Sequence, residues 1–524
     1  MSASFQVGQR VGVEDRVGTV RWIGTLPRGE VPEEWVGLEW DEVGSGKHNG
    51  IFQGTQYFEC PEKTGSFVKP GKISKPTSLA NALIERYQID NEENIPLSVV
   101  DEAGKETQVE FVGAAQVRDH QKNLDHLRAA SLIASSISTS GPLPKCPQLS
   151  SLLLDKNIFV DWAEISLILA HFPQLQMVSL SGNRLQKLTQ PLAVDGSLVQ
   201  AQMLQTLALN NTLISWAEVS LLAKSLPGLV ELHVASNHLG DVDVDISPMP
   251  MLKTLNCDDN KITSWKVLDT AEKFPKLETL ILSKNSLGDD EVSSFSVMAP
   301  TVQRLSLTDN KIQDWKTLGW LCNQACSHLV DLKIQRNPVA SSPDGDAASN
   351  NQSQLVRQIV TALLPALQGL NGSEVSARER GNAERYFLSM GKQGHPAVAA
   401  VDPDATHKTR LEAIHGEVVV AGSLAENQGC LGASLASVTL WPDAKLIYGN
   451  LPVSKRVPIS MTIRDLKIMC QRLFKDIPLE RIQLSFVEPE APVATAFPLE
   501  DDFREIGYYG VGEGCKINVG DKND

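Results

Sequence analysis

The chain has 524 residues, 42% of them apolar and 21% charged, which leaves room for about three domains and argues against wholesale disorder. A formal net charge of −15 speaks against nucleic acid or an anionic membrane as the principal partner. No 18 uncharged apolar residues run together and the opening "MSASFQVGQRVGVEDR" lacks an apolar core, so neither a membrane span nor a signal peptide is expected.

Residues 5–75 alternate apolar and polar side chains between frequent glycines, as in "QRVGVEDRVGTVRWIG", "WVGLEW" and "GSFVKPGKI". This predicts a small all-β module of short strands and tight turns. Within it, "GSGKHNG" at 44–50 invites comparison with a phosphate loop, which needs a glycine five residues before the Gly-Lys pair and a hydroxyl after it. Here Asp41 and His48 hold those places, so a nucleotide phosphate is not the anion that Lys47 meets. Residues 77–145 carry two stretches of helical appearance, "SLANALIERYQI" and "QKNLDHLRAASLIA", and form a lead-in to the segment that starts at 146.

The middle of the chain, 146–340, repeats itself. Units fitting L-x-x-L-x-L-x-x-N-x-L start at Leu149, Leu175, Leu204, Leu229, Leu252, Leu277, Val302 and Leu329, spaced 23–29 residues apart. That period is the signature of leucine-rich repeats, each contributing one short strand whose leucines only a neighbouring repeat can bury. Asn157, Asn183, Asn237, Asn260, Asn285, Asn310 and Asn337 fall at the turn after each strand, where an amide can bond unpaired backbone groups; Thr212 takes that slot in the third repeat. Trp162, Trp216, Trp265 and Trp315 recur just beyond, as packing between repeats. Alternate strand positions, among them Thr254, Asn256, Asp258, Arg304, Ser306, Thr308, Asp331 and Lys333, give a mixed polar face that suits a protein ligand better than nucleic acid.

After the repeats, the polar "SSPDGDAASNNQSQ" reads as a loop, and a helical cap within 341–390 then shields the last core edge. Residues 391–432 read as a linker with some ordered pieces. Residues 433–521 run strand, strand, helix, strand and strand-like "GCKINV", an order that fits a compact α+β roll. The glycine run "GYYGVGEGCK" precedes a strand rather than a helix, so it is a turn and not a dinucleotide loop.

Eight scattered cysteines, with one close pair at Cys322 and Cys326 and no zinc spacing, indicate a reducing compartment, and Cys257 replaces a repeat leucine as a buried thiol would. No catalytic motif is present, and neither cofactor nor metal is implied.

Residues 8–73 resemble a CAP-Gly domain through "GTVRWIG", "EEWVGLEWDE", "GKHNG" and "GTQYFECPEKTGSFVKP", with His48 and Asn49 in place of the usual Asn and Asp of G-K-N-D-G. The C-terminal segment resembles a ubiquitin-like fold, with Ser485 where ubiquitin carries a central apolar surface residue and no di-glycine tail. CAP-Gly, repeats and ubiquitin-like end in that order resemble the layout of the tubulin-folding cofactors. The implied fold class is multidomain α+β: a small all-β CAP-Gly barrel at 5–75, a leucine-rich-repeat α/β solenoid or horseshoe, and a ubiquitin-like β-grasp.

The resemblance implies a chaperone that holds the acidic C-terminus of α-tubulin, closing in Glu-Glu-Tyr, and assembles or dissociates the α/β heterodimer with other cofactors. Its site would be Gly46, Lys47, His48, Asn49 and Gly50, with Trp35 and Phe67 lining an apolar slot; a polar hairpin and two core aromatics are the plain alternatives. A cytoplasmic, cytoskeletal location is implied too, with docking to the proteasome through the ubiquitin-like domain left open. Rival readings are a microtubule-lattice linker, a proteasome or ubiquitin-pathway adaptor, and an enzyme.

Overall fold

The computed structural model describes residues 5–27, 33–87, 98–100, 106–108, 124–241, 246–268, 273–290, 301–341, 346–416, 435–442, 452–474, 478–487, 496–511 and 514–521. The chain forms two compact units, Met1–Lys311 and Ile312–Asp524. No helix among the described residues is long and apolar enough to cross a membrane.

In the first unit, β1 (Arg10–Val13), β2 (Arg16–Thr25), β3 (Glu34–Trp40) and β6 (Gly65–Val68) form an antiparallel sheet in the order β1-β2-β3-β6. Strand alternation sends Val11, Val13, Val20, Val36, Leu38 and Trp40 into one core. A hairpin of β4 (Ile51–Phe52) and β5 (Thr55–Gln56) turns through Gln53 and Gly54, both with positive φ. The chain then forms β7 (Thr77–Ser78), which pairs in parallel with Ile137–Thr139, and α1 (Leu79–Tyr87), which buries Leu79 and Leu83. Tyr87 accepts a hydrogen bond from the Ser131 N–H at 2.8 Å.

Eight parallel strands of this unit lie side by side: Ala129–Ser131, Ser151–Leu153, Met177–Ser179, Thr206–Ala208, Glu231–His233, Thr254–Asn256, Thr279–Ile281 and Arg304–Ser306. Each central residue faces the core; Leu152, Leu207, Leu255, Leu280 and Leu305 are at most 3% exposed, each such leucine contributing roughly 1.5–3 kcal/mol of burial. The first strand corrects the helical reading of "QKNLDHLRAASLIA", whose described part is a 3₁₀ turn, Leu124–His126, followed by strand. It is an atypical repeat beginning at Leu127, with Ala130 for the strand leucine and Ser135 for the asparagine.

The asparagines form a buried ladder. Asn237 illustrates it: its Oδ1 accepts the N–H groups of Thr212 and Leu213 at 2.8 Å, and its Nδ2 donates to Leu209 O at 2.8 Å in the preceding repeat. The residue before each ladder position is left-handed: Lys156, Gly182, Asn211, Ser236, Asp259, Lys284, Asp309 and Arg336 all have positive φ. The amide bonds hold a conformation that most of these side chains disfavour. Indole N–H groups add links between successive repeats, Trp162 to Gln186 O, Trp216 to Gly240 O and Trp265 to Gly288 O, at 2.8–2.9 Å. Cys257 lies wholly inside, and burial pushes its thiol pKa up.

The second unit begins with the helix Trp315–Trp320 and the last repeat strand, Asp331–Lys333, which pairs in parallel with Gly369–Leu370; an Asn371-Gly372 turn returns the chain to Ser373–Glu374. The polar stretch expected as a loop is helical from Asp346 onward, in a helix running to Leu363; residues 342–345 lie outside the described set. The Arg380 guanidinium donates to Thr361 O, Leu364 O and Leu367 O, satisfying the open carbonyls at that helix's end. The expected linker instead continues this cap through 416, as helices Pro396–Val401 and Thr406–His415 pinned by Asn323 to Val401 O (2.8 Å) and His415 to Glu384 (2.6 Å). Its remainder, 417–432, is outside the described residues.

The C-terminal roll orders its strands Val453–Pro458, Leu435–Pro442, Lys516–Asp521, Ile482–Val487, Phe497–Leu499, with helix Ile463–Leu473 packed on one face. First and last strands lie parallel in the middle, the β-grasp arrangement. Phe497–Leu499 is a strand that the sequence pattern had not revealed. The glycine run forms a 3₁₀ turn, Ile506–Tyr509, ahead of the final strand.

Candidate functional site

Strand β3 separates two chemistries. Val36, Leu38 and Trp40 enter the core, while Trp35, Gly37 and Glu39 face the other way. A bulge at Arg21 lets Trp22 stand opposite Gly37, and Phe67 of β6 pairs with Gly37 from the other side. Phe67 becomes the hub of an aromatic platform. Ring centroids of Trp22, His48, Phe52, Tyr57 and Phe58 lie 5.7, 4.9, 5.9, 5.6 and 5.4 Å from it, mostly edge-to-face. Gly37 is what makes room: a Cβ there would sit 2.5 Å from Phe58.

The loop 44–50 borders this platform. The N–H groups of Gly44 and Gly46 donate to Lys63 O, and those of Lys47 and His48 to Gly65 O, while Gly65 N–H returns a 2.7 Å bond to His48 O. Gly50 has φ +98°, and a Cβ there would meet Phe58 O at 1.9 Å, so only glycine closes the turn. The Lys47 side chain is exposed and, among the described residues, forms no ion pair. His48 turns inward onto Phe67, and its Nδ1 accepts the Gly50 N–H at 3.0 Å. Burial first, and the Lys47 charge second, hold its pKa below the ordinary histidine value, so the neutral ring is the working form. The Asn49 amide reaches toward Glu62 at 3.4 Å, and Gln56 donates to Asn49 O at 3.2 Å.

Gly46, Lys47, His48, Asn49, Gly50 and Phe67 are thus drawn together around one surface. Trp35 sits two residues from Gly37 on the same face of β3, but it is 8% exposed and Lys69 covers its ring at 5.6 Å from the centroid. Trp22, Phe52, Tyr57 and Phe58 belong to the platform and were not singled out from sequence. For Phe52, Tyr57 and Phe58 the signal was the aromatic density of "FQGTQYF", which says nothing of which face each ring takes. A half-buried aromatic floor beside an exposed ammonium can hold a ring or apolar side chain next to a carboxylate.

On the repeats, Thr254, Asn256, Asp258, Ser306 and Thr308 are half-exposed and Arg304 exposed, all on the outer face of the parallel strands. Glu278 there bridges Lys253 (2.8 Å) and Arg304 (3.4 Å). In the second unit Asp331 and Lys333 take the corresponding strand positions.

The class follows from the first of these sites: residues 7–73 match the family model of the CAP-Gly domain, so the platform is that of a CAP-Gly domain. The chain is also similar, over nearly its whole length, to proteins named tubulin-folding cofactor E or tubulin-specific chaperone E. It is 29% identical to "Tubulin-folding cofactor E" of Arabidopsis thaliana over 99% of this chain and 98% of that one. It is 28% identical to "Tubulin-specific chaperone E" of Xenopus laevis and of Homo sapiens, over 97% of each chain. Among solved structures, the C-terminal ubiquitin-like domain of mouse tubulin-specific chaperone e matches at 24% identity and TM-score 0.16, covering 18% of this chain and 93% of that one. Internalin C2 of Listeria monocytogenes matches at 18% identity and TM-score 0.26, covering 51% and 86%. The β-grasp and repeat architectures rest on the strand orders given above.

Proposed function

We propose that this protein is a tubulin-folding chaperone that captures the C-terminal Glu-Glu-Tyr of α-tubulin on the Phe67 platform and helps to assemble or dissociate the α/β heterodimer with other tubulin cofactors. The observation that carries this reading is the pairing of Lys47 with an aromatic floor in a CAP-Gly domain, on a chain similar from end to end to tubulin chaperones. The terminal carboxylates would meet the Lys47 ammonium, and the tyrosine ring would lie against Phe67 and its neighbours. Trp35, being covered, would support the slot from beneath.

The repeats would curve as a horseshoe, and the polar strand positions on its concave face would hold the folded body of the subunit. Two modest sites in one chain raise avidity through effective concentration, by about 10²–10⁴ where the span fits. The chemistry is binding rather than catalysis, in the cytoplasm. The ubiquitin-like roll presents Ser485, half-exposed between Asn518 and Pro498 on its sheet, a polar surface unlike that of a ubiquitin-receptor ligand.

Titration calorimetry of the whole chain against a peptide ending in Glu-Glu-Tyr tests the reading. Binding in the micromolar range, about −8 kcal/mol, is expected, with at least a tenfold loss in Lys47→Ala. Absence of binding by the unaltered protein would refute tail capture.

A further inference from the structure

The loop that carries Lys47 begins at the end of β3, and its first two side chains do not stay within the CAP-Gly domain. Asp41 is caught between two guanidiniums. Arg10 of β1 donates to it with both terminal nitrogens, one at 2.6 Å, and Arg184 of the second repeat stands 3.7 Å away. These side chains are only 9% (Arg10), 12% (Asp41) and 19% (Arg184) exposed, so the cluster is shielded from water and salt. Arg184 is itself fixed by a 3.2 Å bond to Asn211 O, at the left-handed turn of the third repeat. The next residue, Glu42, pairs with Lys156 of the first repeat at 2.9 Å. Both partners are about half exposed, so that pair adds direction more than stability.

Behind this anchorage lies a small cleft between loop and repeats, lined by Arg16, Trp40, Ser45, Lys156, Gly182 and Asn211. Arg16 stacks on Trp40 at 4.6 Å and donates to Ser45 O at 3.3 Å. A second contact lies on β1: a Cβ on Gly12 would lie 2.3 Å from the Ser136 hydroxyl, and β7 is paired with the strand that Ser136 precedes. From Asp41 to Lys47 the loop is therefore bound on one side by the repeats and on the other by the Lys63 and Gly65 carbonyls that shape its turn.

We infer that Arg184 and Lys156 are positioning residues for the Lys47 loop, so that the repeat domain sets the affinity of the CAP-Gly platform for an acidic, aromatic-ended peptide. The inference rests on the proposed tail capture for its ligand, but not for its structural content. A ligand that bends the repeats would change the platform through the same two cations, and tail binding would bear back on the repeats with equal strength.

Two readouts on the full chain test it. Hydrogen exchange of the segment 41–50 reports the bracing with no ligand present, and calorimetry with the Glu-Glu-Tyr peptide reports its effect. Arg184→Gln and Lys156→Glu should each speed exchange within 41–50 and weaken the peptide about fivefold, the range of single-site effects on coupling. The charge exchange Glu42→Lys with Lys156→Glu should bring both back to within about twofold of the parent, which a merely structural effect at Lys156 would not do. Unchanged exchange at 41–50, or accelerated exchange with parental affinity, overturns the inference. Should Arg184→Gln loosen repeats 1–3 as a whole, the surface change Lys156→Glu and its rescue decide alone. If the parent protein binds no peptide yet exchange at 41–50 accelerates in the variants, tail capture is wrong and the bracing stands.

Discussion

Asn237→Ala puts the ladder to a quantitative test. The amide serves the buried Thr212 N–H at 2.8 Å, the Leu213 N–H at 2.8 Å, the Thr212 hydroxyl at 3.2 Å and the Leu209 carbonyl at 2.8 Å. Thr212 is 3% and Asn237 4% exposed, so water cannot take over most of these bonds. The Leu209 carbonyl keeps the Thr212 hydroxyl, but leaving the buried Thr212 N–H without a partner costs about 1–3 kcal/mol, and the void left by the amide about 1 kcal/mol more. The expected loss is therefore about 2–4 kcal/mol, against a change within about 0.5 kcal/mol for Ser151→Ala on the outer strand face. Urea unfolding followed by tryptophan emission measures it, since Trp216 and Trp265 lie in the adjoining repeats. A loss under about 1 kcal/mol with an unchanged denaturant slope would mean that the ladder amides are dispensable, and the account of the left-handed turns would fall with them.

Two further outcomes concern the platform. Because the folded pKa of His48 is lowered, the neutral ring's contribution is fully present above about pH 6.5 and is lost as pH falls through the folded value. Peptide affinity should hold steady from pH 8 to 7 and decline toward pH 5 as protonation breaks the Gly50 N–H bond, and His48→Asn should flatten that profile; a parental profile in the variant would refute the assignment. Gly37→Ala forces a Cβ against the Phe58 ring, so a destabilisation of about 1–3 kcal/mol and a weakened peptide are expected by thermal unfolding and calorimetry; parental values for both would show that the platform tolerates rearrangement.

The repeats were legible because their period is a property of the chain itself, and each leucine reports burial wherever the stack curves. The strand at Ala129–Ser131 escaped because Ala130 and Ser135 replace the two residues that carry the pattern, although its 22-residue spacing to Leu149 (149 − 127 from Leu127) lies within the repeat range. The helix from Asp346 escaped for a different reason: Ser, Asp and Asn favour turns locally, and tertiary packing further along the helix overrides them. At the candidate site, Lys47 and its glycines were visible as a motif and Phe67 only through the resemblance to CAP-Gly domains. The other rings of the platform converge from β2, from the β4–β5 hairpin and from the segment after it, a convergence no local pattern records. The meeting of Asp41 with Arg184 spans 143 residues (184 − 41) and leaves no trace in the sequence at all.

The threonine in the third repeat has a thermodynamic consequence. At every other described junction from Asn157 to Asn310, an asparagine amide donates to a carbonyl of the preceding repeat, as from Asn183 to Leu154 O and from Asn260 to Val234 O. The Thr212 hydroxyl instead bonds Leu209 O of its own repeat, and the indole links skip the same junction. Repeats 2 and 3 are joined instead by the buried carboxylate of Glu218, accepting the Leu188 N–H at 2.8 Å, by the Ser225 hydroxyl, accepting the Leu192 N–H at 3.1 Å, and by Arg184, donating to Asn211 O at 3.2 Å. In an array whose stability is a sum of repeat and nearest-neighbour terms, this junction contributes a term of its own make. The first two repeats, fastened to the CAP-Gly domain through Asp41 and Glu42, meet the rest of the array there.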